Sequence, residues 1–345
     1  MDVHQKYMQK CIDIAQKGLG NVAPNPMVGC VIVCNNEIIG EGYHLQYGQA
    51  HAEVNAIDCV KDKSMLKNAT LYVNLEPCSH FGKTPPCATL IVDYGIPKVV
   101  VGCVDSYSEV NGNGIEYLRN EGVDVTVGVL ENESKDFNKR FFTFHSKKRP
   151  YVILKWAQSL DGFIDKSRSA DIPPIVISSE ESHILSHTWR AQEQAIMIAS
   201  KTAVMDNPSL TTRLVKGKNP IRIIIDRQLK IPLHFNVLDN STPTIIYNEI
   251  KNEVIGNTEF IKFDFASNTL NGILDLLYEK NIQSVIVEGG SIMLSSFIQQ
   301  NLWDEARIFI SKNKLLSGRA APPISGKLIS TENSGADELK TIVSM

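Results

Sequence analysis

The chain has 345 residues, of which 43% are hydrophobic and 21% charged, and its formal net charge is −3. A single hydrophobic core rarely grows beyond roughly 250–300 residues, so we expect two domains. The balanced charge excludes a global attraction to nucleic acid or to acidic membranes. The sequence has no apolar run near the roughly 18 residues of a membrane span, and its N-terminus lacks an apolar signal core. Seven cysteines, an odd number in a long chain, do not predict a disulfide framework, so we expect a reducing cytoplasm.

Helices and strands alternate along both halves of the chain. The first half predicts helix 2–17 with Asp2 as its cap, strand 28–34, helix 52–60, strand 69–75, helix 87–94, strand 98–104, helix 113–121 and strand 123–127. A charge-rich stretch at 131–148 is typical of a solvated helix and a linker. The second half predicts strands at 151–156, 195–199, 221–226, 244–247 and 284–288, with helices at 179–193, 269–280 and 291–300. The pattern indicates an α/β protein with largely parallel sheets and two domains, 1–147 and 148–345.

One motif in the first half combines His51-Ala52-Glu53 with Cys78 and Cys87. An imidazole and two thiolates supply three zinc ligands, and a catalytic zinc keeps its fourth position for water. Glu53 lies two residues from the ligand His51, so we expect it to transfer protons without binding the metal. We also expect His51 and Cys78 to lie at helix starts, where a thiolate is favoured. A structural zinc site with His80 as fourth ligand is the alternative, but it leaves Glu53 without a role.

The pattern His-x-Glu followed by Pro-Cys is the signature of zinc deaminases, although here eight residues separate the two cysteines. The run from Glu76 to Cys87, with Pro24 to Gly29 and Gly42 to Glu53, resembles the deaminases of riboflavin biosynthesis. This resemblance covers most of residues 1–128. It implies a cytidine-deaminase-like α/β/α sandwich that hydrolyses the ring amino group of a diaminopyrimidinone bearing a ribosylamino 5′-phosphate. It also implies substrate contacts from Asn25, His44, His80, Lys83 and Asp105. The family reads Asp-Pro-Asn-Pro after Val104, but this chain has Tyr107 in place of the Asn, so that contact is not carried over.

Three motifs in the second half resemble pyrimidine reductases with a dihydrofolate-reductase-like fold. They are Lys155 to Gly162, the spaced set from Arg190 to Arg213, and Val287-Glu288-Gly289-Gly290. The resemblance spans about 150–312 and implies NADPH as cofactor. It implies cofactor contacts from Lys155, Ala157, Ser178, Thr202, Asp206, Gly289 and Gly290, and substrate contacts from Arg190, Leu210, Arg213 and Glu288. Two departures are Ala199, where many members have glycine, and Val176, where the family has tryptophan.

The residue types in these motifs suit a reduction. Gly289-Gly290 would let backbone amides approach the cofactor phosphates at a helix N-terminus. Arg190 and Arg213 are forked donors suited to the substrate phosphate. A carboxylate is expected near C1′ of the ribosyl group, where hydride is added, and Asp206 and Glu288 are the candidates.

Two other functions remain compatible with parts of the sequence. One is a zinc deaminase acting on another nucleoside, a nucleotide or transfer RNA, and the other is a catalytically inactive zinc protein that serves in assembly. The expected partner is a small phosphorylated pyrimidine, not nucleic acid or membrane. A homo-oligomer stays open, because this family and fold often assemble through these domains.

Overall fold

The computed structural model describes residues 2–79, 86–105, 112–266 and 269–345, which fall into two units, Met1–Lys148 and Arg149–Met345. The helices of the first unit are α1 (Val3–Ala15), α2 (Ala52–Cys59), α3 (Cys87–Asp93), α4 (Asn113–Asn120), α5 (Glu131–Phe137) and α6 (Lys139–Lys147). Its strands are β1 (Gly29–Cys34), β2 (Glu37–Tyr43), β3 (Thr70–Leu75), β4 (Lys98–Cys103) and β5 (Asp124–Val127). Short 3-10 helices occupy Gln16–Gly18 and Lys63–Asn68.

The five strands of the first unit form one sheet in the order β2-β1-β3-β4-β5. Strands β3, β4 and β5 are parallel, as expected, whereas β1 runs antiparallel to both of its neighbours. The sheet is therefore mixed. The sheet differs from the largely parallel one that we expected because of β2, which forms a hairpin with β1. This strand was not predicted, because most of its residues are exposed or half-buried.

Alternate side chains of the central strands face opposite sides of this sheet, as the pleat requires. On one side, Ile32 and its neighbours pack with Ala56 of α2 and Ile91 of α3. On the other side, Val31 packs with Met8 of α1. Helices thus cover both faces, and the first unit is an α/β/α sandwich.

Local sequence explains where α1 begins. Asp2 accepts a hydrogen bond from the backbone N–H of Gln5 at 2.8 Å, and the Gln5 side chain accepts one from the N–H of Asp2 at 3.0 Å. This reciprocal pair is a capping box, so the prediction of Asp2 as cap is confirmed.

The charge-rich stretch after β5 does not contain the linker that its composition predicts. It forms α5 and α6, and α6 buries Phe141 and Phe144. Asn138, between the two helices, is also buried, and its side chain bonds both the N–H and the carbonyl of Met27. The stretch therefore packs against the first unit, which charge content alone does not reveal.

The second unit is built on a larger sheet. Its helices are α7 (Glu180–Gln192), α8 (Ser200–Asp206), α9 (Thr269–Glu279) and α10 (Ser291–Gln299), with a 3-10 turn at Asn236–Leu238. Its strands are β6 (Tyr151–Gln158), β7 (Phe163–Asp165), β8 (Ala195–Ala199), β9 (Ile221–Ile225), β10 (Thr244–Asn248), β11 (Glu253–Ile255), β12 (Thr258–Lys262), β13 (Ser284–Val287), β14 (Glu305–Ile310), β15 (Arg319–Ala320), β16 (Lys327–Ser334) and β17 (Asp337–Val343).

Ten of these strands pair in the order β11-β12-β10-β9-β8-β13-β6-β14-β17-β16, while β7 and β15 pair with each other. The run from β12 to β14 is parallel, and the outer strands are antiparallel. Helices α9 and α10 pack on one face of the sheet, and α7 and α8 on the other. Because β8, β13 and β6 are parallel neighbours, the residues at their carboxyl ends meet at one edge, where ligands bind in such sheets.

Within the described ranges, no helix is both long enough and apolar enough to cross a membrane.

Candidate active site

Three side chains of the first unit, His51, Cys78 and Cys87, place their ligand atoms within 4.8 Å of one another. Nδ1 of His51 lies 3.6 Å from Sγ of Cys78 and 3.3 Å from Sγ of Cys87. Tetrahedral coordination with Zn–N and Zn–S bonds of about 2.1 and 2.3 Å separates nitrogen and sulfur by about 3.6 Å. The donor set and its spacing therefore fit zinc. No other group of three such ligands occurs among the residues that the structure describes.

The N-termini of two helices lie beside this triad, but only one of His51 and Cys78, the two ligands that we expected at helix starts, lies at one. His51 is the N-cap of α2, as predicted, whereas Cys78 does not begin a helix, and that prediction is wrong. It is Cys87 that begins α3. The terminus of α3 still acts on Cys78, because the backbone N–H of Cys87 donates a hydrogen bond to Sγ of Cys78 at 3.4 Å.

The triad favours a thiolate at Cys78. The hydrogen bond from the Cys87 thiol lowers the pKa of Cys78 to about 4, and the same contact raises the pKa of Cys87. The hydrogen bond with Cys78 raises the pKa of His51 to about 8. One cysteine is thus already held in the form that binds a metal.

Glu53 lies in the first turn of α2 and is only 3% exposed. Burial raises the pKa of its carboxyl group, and the neighbouring side chains of His51 and Cys87 oppose this shift. Glu53 is therefore in contact with a metal ligand without belonging to the ligand triad. This is the placement that a proton-transferring carboxylate needs.

His44 and Asn25 extend the site away from the triad. Nδ1 of His44 lies 3.0 Å from the carbonyl of Ala50, so this nitrogen carries the donated proton. Nε2 then accepts from the amide of Asn25 at 3.1 Å. Burial lowers the pKa of His44, which fits this neutral form, and its ring packs edge-on against His51 at 5.5 Å. Two predicted substrate contacts thus lie beside the metal ligands.

Glu76 organises the loop that leads to Cys78, a role that its place in the motif did not indicate. Its carboxylate is 4% exposed and accepts hydrogen bonds from four backbone N–H groups, at distances of 2.9–3.3 Å. The donors are Asp105, Gly112, Gly114 and Ile115. A Cβ at Gly114 would lie 2.0 Å from the carbonyl oxygen of Pro77, so only glycine lets α4 approach this closely. Glu76 therefore fixes the segment before Cys78 against α4.

Replacing Glu76 with alanine is expected to lower the free energy of unfolding by about 3 kcal/mol and to weaken zinc retention, because buried N–H donors would lose their acceptor. Urea unfolding and the zinc content of dialysed protein measure the two effects. Glu116→Ala is the matched control, because Glu116 is an exposed acid in the first turn of α4, where such a charge contributes at most about 1 kcal/mol. Equal effects of the two substitutions would contradict this role.

Of the other predicted substrate contacts in the deaminase site, the structure describes only Asp105. Asp105 is buried just after β4, and its backbone binds Glu76. His80, Lys83 and Tyr107 lie outside the described residues. Of the cysteines outside the triad, Cys11, Cys30, Cys34 and Cys103 are buried, whereas Cys59 is exposed.

A cleft of about 320 Å³ opens at the carboxyl edge of the second sheet, within the size range of ligand pockets. It brings together predicted residues from β6, α8, the segment before α7 and the turn after β13. These are Lys155, Ala157, Val176, Ser178, Thr202, Asp206, Glu288, Gly289 and Gly290. Ala199 lies at the end of β8, as the N-cap of α8.

Arg190 and Glu288 form a two-bonded ion pair. Nε and Nη2 of Arg190 lie 3.0 and 2.7 Å from the two carboxylate oxygens, and both side chains are about one-eighth exposed. Although burial opposes it, the charges of Arg190 and Lys155 lower the pKa of Glu288 to about 2, and burial lowers the pKa of Lys155. Glu288 is therefore an anion near pH 7. The guanidinium of Arg190, which we expected to bind the substrate phosphate, binds this carboxylate instead.

Arg168 closes another side of the cleft, although no sequence motif indicated it. Its guanidinium binds Asp165 at 3.1 Å, the carbonyl of Met205 at 3.1 Å, and the carboxylate of Asp206. These contacts tie the segment after β7 to the end of α8. They also pair the negative charge of Asp206 with the positive charge of Arg168.

The N-terminus of α10 reaches the same cleft. Gly290 is its N-cap, and the N–H of Gly290 donates to Oγ1 of Thr202 at 3.1 Å. A Cβ at Gly290 would lie 3.7 Å from Nη1 of Arg319. A helix N-terminus beside a guanidinium suits the phosphates of a dinucleotide. Lys155, Lys166, Arg168, Lys201 and Arg319 outnumber the three acidic lining residues, so the residues present fit NADPH.

Leu210 and Arg213 are not among the residues that line that cleft. The Leu210 side chain is buried in a hydrophobic cluster, and its backbone has φ 55°, so any substrate contact would come from its main chain. Arg213 is exposed, with Nη1 on the hydroxyl of Thr211 at 3.2 Å. Its backbone N–H donates to His187 of α7 at 2.9 Å. The spacing of His183, His187 and Arg190 on one predicted helix could have indicated this polar face.

Two family models match the chain. The cytidine and deoxycytidylate deaminase zinc-binding region matches residues 1–103, and the RibD C-terminal domain matches residues 150–334. The two predicted fold classes, a cytidine-deaminase-like sandwich and a dihydrofolate-reductase-like domain, are thereby confirmed.

Proteins similar to the whole chain carry the same name. The riboflavin biosynthesis protein RibD of Aquifex aeolicus is 39% identical over 318 residues, which cover 90% of this chain and 87% of the relative. That of Bacillus amyloliquefaciens is also 39% identical, over 94% of this chain and 89% of its own. A crystal structure of a diaminohydroxyphosphoribosylaminopyrimidine deaminase/5-amino-6-(5-phosphoribosylamino)uracil reductase from Thermotoga maritima is 36% identical, covers 99% of both chains and has a TM-score of 0.91. The chain belongs to the family of the riboflavin biosynthesis protein RibD, and it is an enzyme with a zinc-binding deaminase domain and an NADPH-dependent reductase domain.

Proposed function

We propose that this chain deaminates 2,5-diamino-6-(5-phosphoribosylamino)pyrimidin-4(3H)-one and then reduces the resulting 5-amino-6-(5-phosphoribosylamino)uracil. The observation that carries the proposal is the three-ligand metal triad with Glu53 at its side, on a chain whose second unit has a cation-lined cleft. The two substrates correspond to the two activities for which the Thermotoga maritima relative is named. We further propose that residues 1–147 carry the deaminase and residues 148–345 the reductase, and that the enzyme works in the cytoplasm.

Deamination uses the residues of the first unit. Zinc, when bound to His51, Cys78 and Cys87, supplies the Lewis acidity that makes water a nucleophile near neutral pH. Glu53 takes a proton from the attacking water and passes it to the departing amino group. Asn25 offers its side-chain carbonyl oxygen and its second amide hydrogen to the polar ring, and His44 fixes the direction of that amide by accepting its other hydrogen.

Reduction uses the cleft of the second unit. NADPH, when bound, supplies a hydride for C1′ of the opened ribosyl chain, and the attached nitrogen needs a proton. Glu288 stays ionised because of Arg190, so we assign it to stabilising positive charge near C1′ and not to giving up a proton. Lys155, with a pKa lowered by burial, is the better proton donor. Arg213 retains donors for the substrate phosphate.

Removal of zinc tests this division of labour. Treatment with a chelator is expected to abolish ammonia release from the diaminopyrimidinone, while NADPH oxidation with the deaminated substrate continues. Cys87→Ser is expected to act like the chelator, and Cys59→Ser is the control because Cys59 is exposed and lies outside the triad. Loss of both activities, or of neither, on zinc removal would contradict the assignment.

A further inference from the structure

His187 has a ring nitrogen that the fold does not use. The side chain lies on α7, is 5% exposed, and accepts the backbone N–H of Arg213 at Nδ1 over 2.9 Å. A neutral imidazole that accepts at Nδ1 carries its proton on Nε2. Within the described ranges, Nε2 has no hydrogen-bond partner. This nitrogen is not among the fully buried polar atoms that lack a partner, so its N–H is open to a ligand.

The surroundings keep His187 neutral. Burial, followed by the charges of Arg190 and Arg213, lowers its pKa to about 4, and Glu288 opposes this shift while His183 adds to it. At neutral pH the ring therefore offers a hydrogen bond without adding a third positive charge beside two guanidinium groups.

Helical spacing relates His187 to the rest of the site. His183, four residues earlier on α7, lines the cleft. Arg190, three residues later, holds Glu288, which lines it too. Residues at these spacings share one helix face. The guanidinium of Arg190 is paired with Glu288, whereas His187 on this face and Arg213 beside it each have a donor that can reach an anion.

We propose that Nε2 of His187 donates a hydrogen bond to the phosphate of the reductase substrate, while Nδ1 positions Arg213 for the same phosphate. This inference rests on the proposed function, because it names part of that substrate. It makes His187 a residue that selects phosphorylated over dephosphorylated substrate.

Two conservative variants distinguish the roles of the two ring nitrogens of His187. In His187→Asn the side-chain oxygen replaces Nδ1 and keeps Arg213 in place, but the Nε2 donor is lost. In His187→Gln the amide nitrogen reaches the position of Nε2 and keeps the donor. Thr188→Ala is the control, because the hydroxyl of Thr188 donates to the carbonyl of Ile184 on its own helix.

NADPH oxidation is measured with the deaminated substrate and with its dephosphorylated counterpart. For His187→Asn, KM for the phosphorylated substrate is expected to rise about tenfold with little change in kcat, because a hydrogen bond to a charged group is lost. KM for the dephosphorylated compound should not change, and His187→Gln should retain most of the preference for phosphate.

A wild-type preference for phosphate in His187→Asn would overturn the inference and leave His187 a purely structural role. Equal loss of preference in the Asn and Gln variants would overturn it as well. If the wild-type enzyme does not oxidise NADPH with the deaminated substrate at all, the proposed function fails, which is a separate result.

Discussion

Replacing Glu53 with glutamine will lower the rate of deamination by roughly 10²–10⁴-fold and leave both zinc content and reduction unchanged. Glutamine has nearly the size of glutamate, so the buried site keeps its packing. It cannot take up a proton from water. Zinc is retained because Glu53 is not one of the three clustered ligands.

Three measurements on the purified variant test this expectation: ammonia release, metal content, and NADPH oxidation with the deaminated substrate. The last is an internal control, because its residues all belong to the second unit. Loss of zinc from Glu53→Gln, or ammonia release at the wild-type rate, would show that Glu53 is not the proton-transfer group.

Replacing Arg190 with methionine is expected to lower the stability of the second unit by about 3–5 kcal/mol and to abolish reduction, because it leaves the buried Glu288 carboxylate with only Lys155 as a counter-charge. The double variant Arg190→Met/Glu288→Leu removes both charges. It should recover most of the stability but none of the reductase activity. Deamination is the control that the protein remains folded around the zinc triad.

The stability of the protein at acidic pH provides a further test of the ion pair between Arg190 and Glu288. Glu288 has a folded pKa of about 2, below the value of 4.5 for an ordinary glutamate. The stability that it contributes is therefore complete above pH 4.5 and is lost as the pH falls toward 2. The difference in the free energy of unfolding between the wild-type protein and Arg190→Met should therefore become smaller as the pH falls over the same interval. A constant difference from pH 7 to pH 3 would contradict the ion-pair explanation.

The parts of this fold that could be predicted are those with strong periodicity. Strands β1, β3 and β4 are almost entirely buried apolar runs, and the match of His51, Cys78 and Cys87 to the zinc deaminase signature predicted their shared role. The hairpins were missed for the opposite reason. β2 and β16 have mostly exposed side chains, so pairing with a neighbouring strand, and not their own pattern, defines them.

The partners of charged groups were the least predictable feature of the sites. Arg190 and Glu288 are 98 residues apart in sequence, and each alone is equally suited to bind substrate. Only the fold shows that they bind each other. Likewise, the four N–H groups around Glu76 come from a loop and a helix start far along the chain, which sequence pattern does not reveal.

The most direct test of a single chain that performs both reactions is one time course with zinc-loaded enzyme, the diaminopyrimidinone substrate and NADPH. Ammonia and NADPH absorbance are followed together. Deamination before reduction predicts that ammonia release leads, that NADPH oxidation follows after a lag, and that the two totals are equal. NADPH oxidation without ammonia release, or ammonia release that NADPH oxidation never follows, would contradict it.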